Sequence, residues 1–227
     1  MIELKFVTKT YISFRGKTHA VHNVSLVVPD GQILAITGHS GSGKSTLLNL
    51  ISGLDQPTEG DIIVLDKHYK HMNQNDIAKF RNQQIGYIFQ HFYLEPEYTV
   101  YQNVEIPLII AGVEPKERKE RIVKVLEQVN LLHKIDQKTR FLSGGEQQKC
   151  CIGRALIKNP QIIFADEPCG NLDSVNGKMV MDILVNLKKQ GKTIVLVTHN
   201  MNDALMADRM ITMKDGKVIK DELLSHH

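Results

Sequence analysis

The chain has 227 residues, 42% of them hydrophobic and 23% charged, a balance that suits one large globular domain or two small ones. Its formal net charge of +3, from 28 basic and 25 acidic residues, is mild, so charge gives no reason to expect a nucleic-acid partner. No run approaches the eighteen or so apolar residues of a membrane helix, and Cys150, Cys151 and Cys169 lack metal-site or redox-motif spacing, so a cytosolic chain with reduced thiols is expected.

In chain order, Ile2, Leu4 and Phe6 alternate with polar residues and predict a strand with those three on one face. A second apolar run, Ala20 to Val28, follows the polar turn at residues 15–17, and the two are read as antiparallel strands. "GQILAIT", Gly31 to Thr37, reads as a buried parallel strand, then a glycine loop, then a short apolar helix from Lys44 stopped by Gly53. "GDIIVLD", Gly60 to Asp66, is another strand. From about His91 to Lys138 the texture changes. Ile122, Val125, Leu126 and Val129 fall at helical spacing, and Glu117–Arg121 and Glu120–Lys124 are opposite charges four apart on a solvated face.

"LSGGEQQK", Leu142 to Lys149, opens a further helix, with Ser143 as cap and Glu146 closing a capping box. Gly144 and Gly145 then weaken that helix by roughly 1 kcal/mol each relative to alanine. Bare backbone must serve a purpose there: either a second anion-binding helix start or close packing. Two more short apolar runs, Ile162 to Ala165 and Thr193 to Thr198, each follow a helical segment. The expected fold class is therefore α/β, a parallel sheet with helical crossovers, closed by a hairpin turning at Asp215–Gly216. Ser225 to His227 carry no motif and are either native or the remnant of a tag.

Chemistry concentrates in a few places. "GHSGSGKS" from Gly38, directly after a buried strand and before a helix, matches a phosphate loop. Gly38, His39, Ser40, Gly41, Ser42, Gly43, Lys44, Ser45 and Thr46 are taken as the triphosphate site. Bare N–H groups curl round the anion, Lys44 neutralises the outer phosphates and the Ser45 hydroxyl joins the Mg²⁺ shell. Asp166, at the end of an apolar strand, supplies the carboxylate such an ion needs, leaving Glu167 free to activate the attacking water. Both carboxylates can serve one site only because the strand ends there. His199, at a third strand tip, is assigned to hold the γ-phosphate and the water in register.

The ordered set of the phosphate loop, "YIFQ" (Tyr87 to Gln90), "LSGGEQQK", "IIFADEP", "GNLDS" (Gly170 to Ser174) and His199 resembles the nucleotide-binding subunit of an ABC transporter from about residue 1 to 222. The resemblance implies a single ABC nucleotide-binding domain over residues 1–227: a P-loop core, an antiparallel β-subdomain and a helical subdomain at about 91–157. It also implies an ATPase using ATP and Mg²⁺, and an ATP-dependent homodimer in which Ser143, Gly144, Gly145 and Glu146 of one copy meet the γ-phosphate held by the other. By position, Tyr11 resembles the aromatic that stacks on adenine, Gln90 the Mg²⁺ and water sensor, and Asp173 the residue coupling the two sites. Glu146 and Lys149 stand where the signature often has Gln and Arg. Cys169 stands where Thr is usual, and its alkylation is expected to slow hydrolysis.

The short length, "FQHFYL" and "EPCGNLDS" are similar to the branch that includes macrolide-exporter, lipoprotein-releasing, antimicrobial-peptide-resistance and cell-division ATPases. That similarity implies a membrane permease docked at about His91 to Gly112, a position on the cytoplasmic face of the membrane, motion transmitted to an extracytoplasmic domain, and room for an extracytoplasmic adaptor protein. It also implies export or release of a hydrophobic compound, peptide or lipoprotein. A regulatory ATPase that works through a membrane protein and moves no cargo is the alternative. A soluble DNA-repair or translation ATPase would need an insertion or a second cassette, and a small-molecule kinase would leave "LSGGE" unexplained.

Overall fold

The computed structural model describes residues 1–14 and 16–224. Arg15 of the first turn, and Ser225 to His227, lie outside the described residues. In chain order the elements are β1 (Ile2–Ser13), β2 (Gly16–Val28), β3 (Ile33–Thr37), α1 (Lys44–Ile51), β4 (Glu59–Val64), β5 (Lys67–His68), α2 (Gln74–Gln84), β6 (Ile85–Ile88), α3 (Val100–Ile110), α4 (Pro115–Gln128), α5 (Gly144–Leu156), β7 (Ile162–Asp166), α6 (Ser174–Lys189), β8 (Thr193–Val197), α7 (Met201–Ala204), β9 (Arg209–Lys214) and β10 (Lys217–Leu223). They form two sheets, one of order β2-β1-β4-β5, all antiparallel, and one of order β10-β9-β3-β8-β7-β6.

In the larger sheet β9, β3, β8, β7 and β6 run parallel, and β10 closes the edge as an antiparallel hairpin partner of β9. Its central strands are apolar but for their end residues because both faces are covered. Ile33, Ala35, Ile163, Ala165, Ile194 and Leu196 join the core under α3 to α6, while Leu34, Ile36, Ile162, Phe164, Val195 and Val197 join the core shared with α1 and the smaller sheet. Residues alternate between two dry layers, so the runs show no polar alternation. The register sets the strand ends level, with Ile36 beside Val197 and Val197 beside Asp166. Everything carried on the loops after β3, β7 and β8 is thus delivered to one edge, the position where open α/β sheets bind ligands.

Two predictions need correction or comment. Ile2 and Leu4 are buried as expected, but Phe6 is 69% exposed and Val7 takes the inward place. A register shift lies between Leu4 and Val7, and Phe6 adopts a left-handed φ of 51°. β4 comes close here: a Cβ at Gly60 would sit 2.5 Å from the carbonyl oxygens of both Lys5 and Phe6, so the bulge needs glycine at that position. Of the helical surface pairs, Glu117–Arg121 closes on α4, whose Ile122, Val125 and Leu126 are buried with Val129 just beyond.

Candidate active site

The phosphate loop is shaped by close approaches that only glycine permits. Gly38 (φ 139°) and Gly43 (φ 99°) each lack room for a Cβ, which would lie 2.3 Å from the Met213 carbonyl oxygen and 2.1 Å from that of Ala20. The hairpin β9–β10 and strand β2 therefore wall the loop on two sides. Gly43 caps α1, whose first turn contains no acidic residue, so the positive helix end stays unneutralised. Lys44 Nζ donates to the carbonyls of Gly38 (2.8 Å) and His39 (2.9 Å), and Ser42 is buried with its hydroxyl unpartnered.

The cleft over this loop has a volume of about 1160 Å³. Gly38, His39, Ser40, Gly41, Gly43, Lys44, Ser45, Thr46, Gln90, Asp166, Glu167 and His199 all line it, so the structure gathers the sequence-predicted phosphate, metal and water-activating residues in one place. Thr18, His19 and Ala20 of β2 and Met213 to Gly216 of the hairpin also line it. These were missed, because nothing local marks a strand that becomes a wall only through tertiary packing. Tyr11 does not line the cleft; its strand neighbour Thr18 does. The Tyr11 hydroxyl donates to Asp55 Oδ2 at 2.8 Å, and Lys9 Nζ lies 5.1 Å from the centre of its half-exposed ring.

Strand β7 stops at Asp166, and Glu167 turns sharply with φ 48°. Its N–H donates to the Val197 carbonyl (2.9 Å), its Oε2 lies 2.9 Å from His199 Nδ1, and the same oxygen accepts the His199 N–H at 3.3 Å. This left-handed residue is what lets adjacent side chains of one strand face one site. Burial, and then the neighbouring Glu167, raise the Asp166 carboxyl above its usual range, while a Ser45 hydrogen bond and the Lys44 charge oppose them. The donor set of Ser45 hydroxyl, Asp166 carboxylate and Gln90 amide fits Mg²⁺, which takes hard oxygens from one or two carboxylates and completes its shell with phosphates and water.

The "LSGGE" segment forms the predicted capping box: the Ser143 N–H and Oγ donate to Glu146 Oε2 at 2.9 and 3.1 Å, and the Glu146 N–H donates to Ser143 Oγ. Hydrogen bonds from Ser143, first its N–H, hold the Glu146 carboxyl low, and the Lys134 charge adds to this. The two glycines prove different. Gly144 is exposed, with only Leu172 in ordinary contact, whereas Gly145 is buried and a Cβ there would lie 2.1 Å from Asn176 Oδ1. Asn176 is in turn held by Asp173, the cap of α6, through bonds of 2.8 and 2.7 Å. Close packing thus accounts for Gly145. None of Ser143, Gly144, Gly145, Glu146 and Asp173 lines the cleft of their own chain. Cys169 is a poor target for alkylation: burial, then Asp203 and Glu167, push its thiol up to about 12, and its Sγ–H points at the Gly177 carbonyl.

A glycine loop at a helix start, with an acidic strand tip beside it on a parallel sheet, defines the P-loop nucleoside triphosphatases. The comparisons narrow the class: a family model described as ABC transporter matches residues 21–170. The chain belongs to the ABC transporter family, and what it supplies is that family's ATP-binding and hydrolysing cassette, which works with Mg²⁺. It is 42% identical over 229 residues to the uncharacterized ABC transporter ATP-binding protein MJ0796 of Methanocaldococcus jannaschii, covering 99% of this chain and 97% of that protein. A dimeric structure of the MJ0796 cassette in a post-hydrolysis state, bound to ADP and Pi, superposes with a TM-score of 0.91 at 40% identity over all of both chains. The macrolide export ATP-binding/permease protein MacB of Chlorobaculum tepidum is 44% identical over 221 residues, 97% of this chain and 34% of that protein. The chain therefore spans about a third of the length of its MacB relatives. Among the described residues no helix is long and apolar enough to cross a membrane.

Proposed function

We propose that this cassette is the ATP-driven motor of a membrane export or release system, closing as a pair around two ATP molecules. The observation that carries the reading is the split site. The capped helix start at Ser143 and Gly144 is exposed and lies outside the cleft of its own chain, so it is free to meet the γ-phosphate bound by a second copy. Asp173, tied through Asn176 to Gly145, links that helix start to the start of α6.

Within the cleft the roles follow from chemistry. The loop N–H groups and Lys44 bind the phosphates, Tyr11 stacks on the adenine, and Ser45, Asp166 and Gln90 hold the metal. Mg²⁺, when bound, neutralises charge on the β- and γ-phosphate oxygens. Glu167 accepts a proton from the attacking water as the water oxygen bonds to the γ-phosphorus. The bond from that phosphorus to the bridging oxygen breaks, giving ADP and phosphate. His199, against the Glu167 carboxylate, orients that base and contacts the γ-phosphate.

The segment of about 91–157 is read as the helical subdomain, and a groove of about 730 Å³ between α2, β6 and α3 as the dock for a cytoplasmic helix of the permease. Phe89, Pro107 and Ile110 line it together with Lys79, Arg81, Arg154 and Lys158, and no carboxylate does. In this reading the cassette sits on the cytoplasmic face of the membrane, with an extracytoplasmic adaptor as a further partner of the permease.

The test is Glu167→Gln protein with MgATP. ATP-dependent dimerisation by size exclusion, loss of steady-state hydrolysis, and co-purification of a permease from gently solubilised cells are expected. Intact hydrolysis would overturn the role of Glu167, and recovery of soluble partners alone, with membrane proteins recovered in a control, would overturn the export reading.

A further inference from the structure

Helix α5 is tied to the acidic strand tip by one side chain. Gln148 is fully buried; its Nε2 donates to the Pro168 carbonyl at 2.7 Å, while its Oε1 is buried without a partner. An unmet buried polar atom costs about 1–3 kcal/mol. A methionine would fill nearly the same space without that penalty. Bulk alone therefore does not explain a glutamine here; its donor does.

That donor acts on the Pro168 carbonyl, one residue past Glu167, a non-glycine residue with φ 48°. Such a conformation costs about 1–3 kcal/mol and persists only where surrounding contacts over-determine it. Beyond the two His199 contacts of the Glu167 carboxylate, the contacts are few. The Glu167 N–H donates to Val197, the Gly170 N–H donates to the Glu167 carbonyl at 3.0 Å, and Gln148 grips the next carbonyl. The same helix also holds the stretch after Gln90, with the Cys151 thiol and Arg154 donating to the Phe92 carbonyl and Arg154 to that of Tyr93. α5 is thereby fixed to both segments that bring Gln90 and Glu167 to the cleft.

We infer that Gln148 is a positioning residue for ATP hydrolysis: through the Pro168 carbonyl it holds the left-handed turn that aims the Glu167 carboxylate at His199 and the cleft. The inference rests on the reading of Glu167 as the base.

Two substitutions in the full chain test it by steady-state MgATP hydrolysis. Gln148→Met keeps length and bulk but removes the donor. A displaced catalytic group loses up to about 100-fold in rate, so kcat is expected to fall about 10- to 100-fold with the KM for ATP within twofold. Gln148→Glu sets an ionised acceptor against a carbonyl at pH 8 but regains an O–H donor once protonated, and burial raises the pH at which that happens. Its rate relative to unsubstituted protein is therefore expected to rise at least several-fold between pH 8 and pH 6. Because a buried carboxylate ion is itself destabilising, the recovery counts only where circular dichroism gives the same folded fraction at both pH values.

Gln148→Met with kcat within twofold of the unsubstituted protein overturns the inference, as does a Gln148→Glu ratio that stays flat with pH. The second criterion decides alone if the methionine variant fails to fold. Glu167→Gln measured alongside separates the two readings: full activity there sinks the base assignment, whereas its collapse beside an active Gln148→Met sinks only the role of Gln148.

Discussion

Gly145→Ala probes the close fit between the start of α5 and the start of α6. The added Cβ would lie 2.1 Å from Asn176 Oδ1 and 2.6 Å from its Cγ, distances that no packing tolerates. Asn176 cannot swing aside freely, because its Nδ2 is bonded to Asp173. Overpacking of this kind costs about 1–3 kcal/mol. Alanine in place of glycine returns about 1 kcal/mol of helix propensity. The net loss is thus about 0–2 kcal/mol, up to roughly 8 °C in Tm for a domain of this size.

Asn176→Ala removes the obstructing atoms and leaves a Cβ at 3.2 Å, which a shift of a few tenths of an ångström relieves. In that background Gly145→Ala should be neutral or stabilising by about 1 kcal/mol. Urea unfolding of the four proteins of the cycle then yields a coupling of about 1–3 kcal/mol. Additivity within about 0.5 kcal/mol would refute the packing account of Gly145.

Three further outcomes are expected. Lys44→Ala removes the charge-assisted contacts to the outer phosphates and should weaken MgATP binding about 10- to 150-fold by calorimetry; unchanged affinity would place the triphosphate elsewhere. The folded-state pKa of Glu146 is lowered by Ser143, so its contribution is fully present above the ordinary glutamate value and is lost as pH falls through the folded value. Gln at 146 should cost about 0.3–1 kcal/mol at pH 7 and nothing in strong acid, a narrowing gap that unfolding curves at several pH values would reveal or deny. With its thiol pushed up to about 12, Cys169 holds on the order of a thousandfold less thiolate at pH 8 than a free cysteine. Mass-mapped alkylation should find it protected in native protein and labelled normally in denaturant; fast native labelling would contradict the burial.

The features that could be read from sequence are those whose cause is local. The phosphate loop announces itself because strand, glycines and helix are contiguous, and the strand tips because fully apolar runs end abruptly in Asp166 and His199. The Ser143–Glu146 box is likewise a matter of three-residue spacing. What stayed hidden depends on distant partners. Phe6 turns outward at a bulge that only a glycine at position 60, on another strand, leaves room for, and Gly145 is demanded by Asn176, thirty-one positions later. His19 and Ala20 become part of the cleft because Gly43 packs against the Ala20 carbonyl. Glu167 lies just past the strand end, as its place in the sequence indicates, but its left-handed backbone was not foreseeable, since glutamate has no preference for it.

That backbone also bears on how the protein would change under selection. Asparagine adopts the left-handed region far more readily than glutamate, and glycine enters it without steric cost, so either would relieve part of the strain at position 167. A library screened for heat resistance alone would therefore enrich such replacements and, on the proposed reading of Glu167 as the base, deliver tougher, idle cassettes, the familiar trade between stability and activity. Thermostabilisation of this molecule should score turnover in every round, or hold position 167 fixed from the start.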